Sequence, residues 1–162
     1  MLCISEHTRK SVECERVREL TRISLIFDGL MVYFRHMKNT INGKIVCGLG
    51  EGAYFMSMQH YQKEIKRKLD FNAYPGTLNL KVSKKQRGLL KNIKPIKING
   101  FKLNNKTFGG ASCYKAKIKN IKGSIIIPDL TKHKEIIEFI APVHIKTELN
   151  LKDGDKIKVE LL

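Results

Sequence analysis

From residue 43 onward the chain is a series of short apolar runs separated by turn residues, and few folds can use such a pattern. Leu78, Leu80 and Val82 alternate with polar neighbours, and the tail after Asp153-Gly154-Asp155 ends in a similar alternation. Period two marks a strand with one buried face. By this criterion Gly43–Cys47, Ala53–Ser57, Leu78–Val82, Lys94–Ile98, Phe101–Leu103, Cys113–Ile118 and Gly123–Ile127 are predicted strands. Hairpins are expected around Asn99-Gly100 and around Asn120–Lys122. Glu135–Ile140 is apolar and fits either a strand or a short helix. Only Met58–Phe71 has a clear helical period, with Tyr61, Ile65 and Leu69 on one face, and Asn72–Pro75 ends it. Many short strands with one principal helix predict a mainly β fold, a small closed or nearly closed barrel.

The 162 residues suffice for one domain with a substantial core. Residues 1–36 are expected to be an N-terminal extension, with a helix from about Val12 to Leu20, and Met37 is expected to open the barrel domain of residues 37–162. The net charge is +16, and residues 1–36 hold six basic and five acidic residues, so the remainder still carries +15. Such charge implies anionic partners without choosing among nucleic acid, a membrane surface and a nucleotide. The lysines are scattered and aromatics are 7% of the chain, unlike the basic stripe with interleaved aromatics of many nucleic-acid binders. Cys3, Cys14, Cys47 and Cys113 form no Cys-x-x-Cys pair, and the histidines complete no zinc spacing. Free thiols in a reducing cytosol are the expectation. No run reaches the roughly 20 apolar residues of a membrane span.

Five segments could carry chemistry. Thr77 and Asn79 project side by side from the polar face of a strand that follows the Pro75-Gly76 turn. Two neutral oxygens there could hold a hard cation that takes its other ligands from water and phosphates. Gly48-Leu-Gly-Glu-Gly-Ala-Tyr-Phe55 places glycines at alternate positions, which lets backbone N–H groups approach phosphate oxygens. Its spacing is neither a dinucleotide-binding fingerprint nor a P-loop. Gly109-Gly110 could lie against the flat face of a ligand. Thr131, Glu135 and Glu138 follow or flank a buried strand that Pro128 ends. Pro142 sets a bend before Val143–Lys146, in which His144 and Lys146 alternate with Val143 and Ile145, and Lys146 could be a point charge for phosphate. Each segment also has an ordinary reading: an exposed polar pair, a glycine-rich hairpin, a sheet bulge, a solvated loop.

Taken in order, Gly48–Phe55, Tyr74-Pro-Gly-Thr-Leu-Asn79, Phe108-Gly-Gly110, Cys113-Tyr114, Ile126-Ile-Pro128, Ile140-Ala-Pro-Val143 and the Leu-Lys-Asp-Gly-Asp tail resemble the archaeal CTP-dependent riboflavin kinases, over about residues 41–162. The resemblance implies a six-stranded cradle-loop barrel of the riboflavin-kinase type. It implies transfer of the γ-phosphoryl of CTP to the 5′-hydroxyl of riboflavin, giving FMN and CDP, with Mg²⁺ as cofactor. Carried over, Gly48, Leu49, Gly50, Glu51, Gly52 and Ala53 would hold the nucleotide together with Val143, His144, Ile145 and Lys146. Thr77 and Asn79 would hold the metal, and Thr131 and Glu138 the flavin, with Glu138 the candidate catalytic base. A cytoplasmic monomer is expected, with no nucleic-acid or membrane partner. The competing reading is an AbrB-like barrel that binds DNA through its basic surface without catalysis.

Overall fold

The computed structural model describes residues 39–162 apart from Leu49 and Lys132. The expectations for residues 1–36 and for Met37 lie outside the described residues. Among the described residues nine strands run in chain order: β1 Thr40–Val46, β2 Leu78–Lys81, β3 Ile96–Ile98, β4 Phe101–Leu103, β5 Lys106–Phe108, β6 Ala111–Ile118, β7 Ile121–Pro128, β8 Ile136–Ile140 and β9 Lys156–Leu161. The helices are α1 Glu51–Ser57, α2 Gln59–Leu69, α3 Lys84–Gly88 and α4 Ile145–Glu148, with a 3-10 turn at Leu89–Asn92.

The strands pair in the order β6-β7-β8-β2-β1-β9, and β9 pairs back onto β6. The result is a closed six-stranded antiparallel barrel, as expected, and closure removes the sheet edges. β3 adds to β6 outside the ring. The alternation seen in the sequence becomes inside and outside. Leu78, Leu80, Ile41, Ile45, Ile137, Phe139 and Val159 fill the interior, and Leu90 and Ile145 join that cluster. A second core lies on the outer wall, where Tyr61, Ile65 and Leu69 of α2 meet Ile98, Cys113, Ile126 and Ile140.

The principal helix, the β6–β7 hairpin and the final strand occur where expected, and Glu135–Ile140 resolves as strand β8. Two expectations fail. Ala53–Ser57 is not a strand but most of helix α1. A five-residue apolar run has no readable period. Gly50, at φ 82°, turns the chain into the helix, and Ser57 Oγ donates back to Tyr54 O at 2.7 Å. Second, β3 and β4 do not pair across Asn99-Gly100. β3 pairs with β6, and β4 pairs with β5. Gly100 lies against the Phe108–Gly110 backbone, where any side chain would overlap, so the chain passes over that segment instead of reversing. The reversal comes at Asn104-Asn105, with φ of 49° and 61°, the two positive values of a type I′ turn. The segment after Pro142 also departs from alternation. Ile145 starts a helical turn and is buried in the barrel core. Among the described residues no helix is long and apolar enough to cross a membrane.

Candidate active site

A cleft of about 930 Å³ opens between the outer barrel wall and the α1–α2 arm. Its floor follows from strand register. Val46 of β1 stands opposite Asn79 of β2, Asn79 opposite Glu138 of β8, Glu138 opposite Ile126 of β7, and Ile126 opposite Cys113 of β6. Directly opposed residues of antiparallel strands share a face. Because Leu78, Leu80, Ile137 and Phe139 point inward, Asn79 and Glu138 must point out into the cleft. Thr77 precedes Asn79 by two residues and shares its face, and its hydroxyl favours the charged form of the Glu138 carboxyl. The Pro75-Gly76 turn that presents this pair is anchored by Tyr74 N–H to Ala141 O at 2.8 Å and closed by Gly76 N–H to Tyr74 O at 2.8 Å.

The glycine loop is packed onto the same two residues. A Cβ on Gly48 would overlap the Asn79 side-chain amide, and a Cβ on Gly52 would overlap Thr77 Oγ1. Glycine is required at these positions by close approach, whereas at Gly50 it is required by the left-handed backbone. Gly48, Gly50, Glu51, Gly52 and Ala53 all line the cleft, and Leu49 lies outside the described residues.

The electrostatics of the cleft are unusual for so basic a chain. Burial pushes the Glu138 carboxyl above its ordinary value, and the negative charge of Glu51 adds to this. The Thr77 hydrogen bond and the nearby His133 oppose it. Among the described lining residues the one lysine is Lys146, and its Nζ is paired with Asp153 Oδ1 at 2.7 Å. The point charge expected of Lys146 is therefore partly committed within the protein. His144 Nδ1 is bonded to Thr147 Oγ1 at 2.6 Å, and its ring tilts against Tyr74 with centroids 5.0 Å apart.

The opposite end of the cleft is apolar. Met56, Ile65, Ile98 and Ile126 line it beside Gly109 and Gly110. The Tyr61 hydroxyl is spent on Gly109 O at 2.6 Å, which leaves the aromatic body to the wall. Leu130, 77% exposed, leans over Gly109 at the rim. Thr131 lines the rim, and its Oγ1 accepts from His133 N–H at 3.3 Å. Glu135, by contrast, is exposed and does not line this cleft. Thr77, Asn79, Thr131, Glu138 and Val143–Lys146 all line the one cleft.

Sequence reasoning passed over Tyr74, His133 and Gln62. Gln62 reads as one polar residue in a basic helix, yet its carboxamide donates to Met56 O and to Ala73 O, the latter at 2.8 Å, and accepts from Ala73 N–H at 3.1 Å. It ties the end of α1 to the segment leading into Pro75–Asn79. Gln62→Leu would strand these half-buried backbone groups and is expected to cost about 1–3 kcal/mol, measured by urea denaturation. An unchanged midpoint would show that water replaces the carboxamide without penalty.

A divalent cation fits this donor set. The cleft must otherwise meet an anion with two carboxylates and a committed lysine. Thr77 and Asn79 offer neutral oxygens next to the Glu138 carboxylate, held by a cradle that a Cβ at Gly48 or Gly52 would fill. Among the described residues no three His, Cys, Asp or Glu side chains gather into a metal cluster. A cation here would keep part of its charge for phosphate oxygens.

Comparisons with known proteins converge on one family. The CTP-dependent riboflavin kinase family model, described as "Domain of unknown function DUF120", matches residues 45–161. A riboflavin kinase of Pyrobaculum calidifontis is 38% identical over 143 residues, covering 86% of this chain and 68% of that protein. A riboflavin kinase of Pyrobaculum aerophilum is 39% identical over 144 residues, covering 86% and 69%. A riboflavin kinase of Pyrococcus furiosus is 44% identical over 128 residues, covering 77% and 59%.

Proposed function

This chain belongs to the CTP-dependent riboflavin kinase family, and from that premise we propose that it transfers the γ-phosphoryl of CTP to the 5′-hydroxyl of riboflavin, releasing FMN and CDP, with Mg²⁺ bound at Thr77 and Asn79. The observation that carries the reading is the shared cleft floor: Thr77, Asn79 and Glu138 on one outer wall, with Gly48 and Gly52 packed against the first two.

Phosphoryl transfer asks a protein for positioning and charge stabilisation more than for covalent chemistry. Gly48, Gly50 and Gly52 bring backbone to the nucleotide in the cleft that Val143–Lys146 also line. The apolar end beside Gly109-Gly110 suits the flat isoalloxazine ring, with Thr131 at its rim. Bound Mg²⁺ would neutralise charge on the β- and γ-phosphates. Glu138 accepts the proton of the riboflavin 5′-hydroxyl as its oxygen bonds to the γ-phosphorus. The bond from that phosphorus to the β–γ bridging oxygen breaks, and CDP leaves with the electron pair. Thr77, whose hydroxyl favours the charged form of Glu138, helps keep that carboxyl ready to accept the proton.

Incubation with riboflavin, Mg²⁺ and each nucleoside triphosphate in turn tests the reading. FMN is expected with CTP. FMN with ATP alone would overturn the donor assignment, and no FMN with any triphosphate would overturn the activity. Omission of divalent metal is expected to stop turnover, and Mg²⁺ to restore it.

A further inference from the structure

Lys81 of β2, Lys44 of β1 and Lys156 of β9 stand directly opposite one another in the sheet register. All three are exposed, while the residues flanking them in the strands, Leu80, Ile45 and Ile157, point into the barrel. Three ammonium groups therefore share one rung of the outer wall. Strands spaced about 4.8 Å apart make that rung roughly 10 Å wide at the backbone. Like charges directly opposite one another destabilise a sheet. The acids of the adjoining turn do not relieve them: Asp153 is paired with Lys146 at 2.7 Å, and Asp155 Oδ2 accepts from Lys152 N–H at 2.8 Å.

The rung has a definite place. Lys81 follows Asn79 by two residues and Lys44 precedes Val46 by two, so it is the next outward-facing rung after the one that floors the cleft. Two residues of strand span about 6.7 Å, which lies within the Debye length of about 8 Å at physiological salt. Among its described lining residues the cleft offers an incoming polyanion two carboxylates and a lysine already paired. Among the described residues, the rung puts three positive charges on that wall just outside the cleft.

We propose that the Lys81–Lys44–Lys156 rung is a steering surface for the nucleoside triphosphate. It attracts the polyanion to the cleft mouth and sets its association rate without touching the reacting atoms. The proposal rests on the nucleotide reading above. The row costs the sheet some repulsion, and positive charge beside the cleft raises the encounter rate of an anion.

Stopped-flow binding of a fluorescent CTP derivative with Mg²⁺, between about 20 mM and 300 mM salt, tests it. In the wild type the association rate should fall steeply with salt. The triple variant Lys44→Gln, Lys81→Gln, Lys156→Gln is expected to associate about tenfold more slowly at low salt, with a shallower salt dependence. Its kcat should be unchanged, and its Tm should not fall, because repulsion is relieved. A charge-matched control, Lys102→Gln, Lys106→Gln, Lys119→Gln, lies on β4, β5 and the β6–β7 turn and should stay within about twofold of wild type. Equal slowing in both triples would reduce the effect to net charge and overturn the proposal, as would slowing in neither. If the wild type neither binds the probe nor forms FMN with any triphosphate, the nucleotide reading fails, and the steering role with it.

Discussion

Gly52→Ala is expected to lower turnover by about 10²-fold or more while the protein still folds. The two effects separate because they arise in different places. Gly52 sits in the first turn of α1, where exchanging glycine for alanine favours the helix by up to about 1 kcal/mol. The added Cβ, however, would overlap Thr77 Oγ1 and lie 3.0 Å from its Cγ2. Thr77 immediately precedes β2, which pairs with β8 from Leu78 onward, so its backbone has little room to retreat, and its hydroxyl is displaced from Glu138. Misplacement of a positioning group by about 1 Å can cost 10²-fold in rate. Gly48→Ala should act in the same way on the Asn79 amide, and both variants should need more Mg²⁺ for half-maximal activity. Gly88→Ala is the control, because nothing lies within 4 Å of a Cβ there. Initial rates over a Mg²⁺ titration, with Tm measured alongside, decide the point. Wild-type turnover in Gly52→Ala would show that Thr77 Oγ1 is not needed where it stands.

This contact marks the limit of what the sequence reveals. Period-two alternation made β2 and β9 legible because each has one face more open to water, and Tyr61, Ile65 and Leu69 made α2 legible by the same logic at a different period. That Thr77 and Asn79 share a face followed from alternation alone. That Asn79 stands opposite Glu138, 59 residues later, is a matter of register between β2 and β8, which no local pattern encodes. The glycine loop could be recognised as a close-approach element, but not that what it approaches is Thr77 and Asn79. Local ambiguity caused the failures at α1 and at the β4–β5 hairpin, where short apolar runs lack a period and paired asparagines supplied a turn usually credited to Asn-Gly. The pairing of Lys146 with Asp153 and the Lys81–Lys44–Lys156 rung are likewise tertiary facts, invisible in a list of scattered lysines.

Glu138→Gln is expected to lower kcat by about 10²–10⁴-fold, the usual contribution of a positioned general base, and to remove the acid limb of the pH–rate profile. The wild-type limb should lie above the ordinary carboxylate value, since burial chiefly raises the Glu138 carboxyl, with the Thr77 hydroxyl opposing, Glu51 adding to the rise and His133 opposing it. The base works only when ionised, so turnover should rise with pH through that raised value. Stability should run the other way. A carboxyl that holds its proton more tightly folded than unfolded favours the folded state most below the unfolded value. That advantage is lost as pH climbs from the unfolded value through the folded one. Between those two values the wild type should lose stability while it gains activity, and Glu138→Gln should lose the dependence in both. Glu51→Gln offers an independent handle. Removing its charge leaves Glu138 in place but lowers its pKa, so the acid limb should move to lower pH with kcat at high pH preserved, provided nucleotide is saturating. Near-normal turnover in Glu138→Gln with flavin binding intact would show that the proton leaves by another route. A Glu51→Gln profile superimposable on wild type would show that the two carboxylates do not sense one another across the cleft.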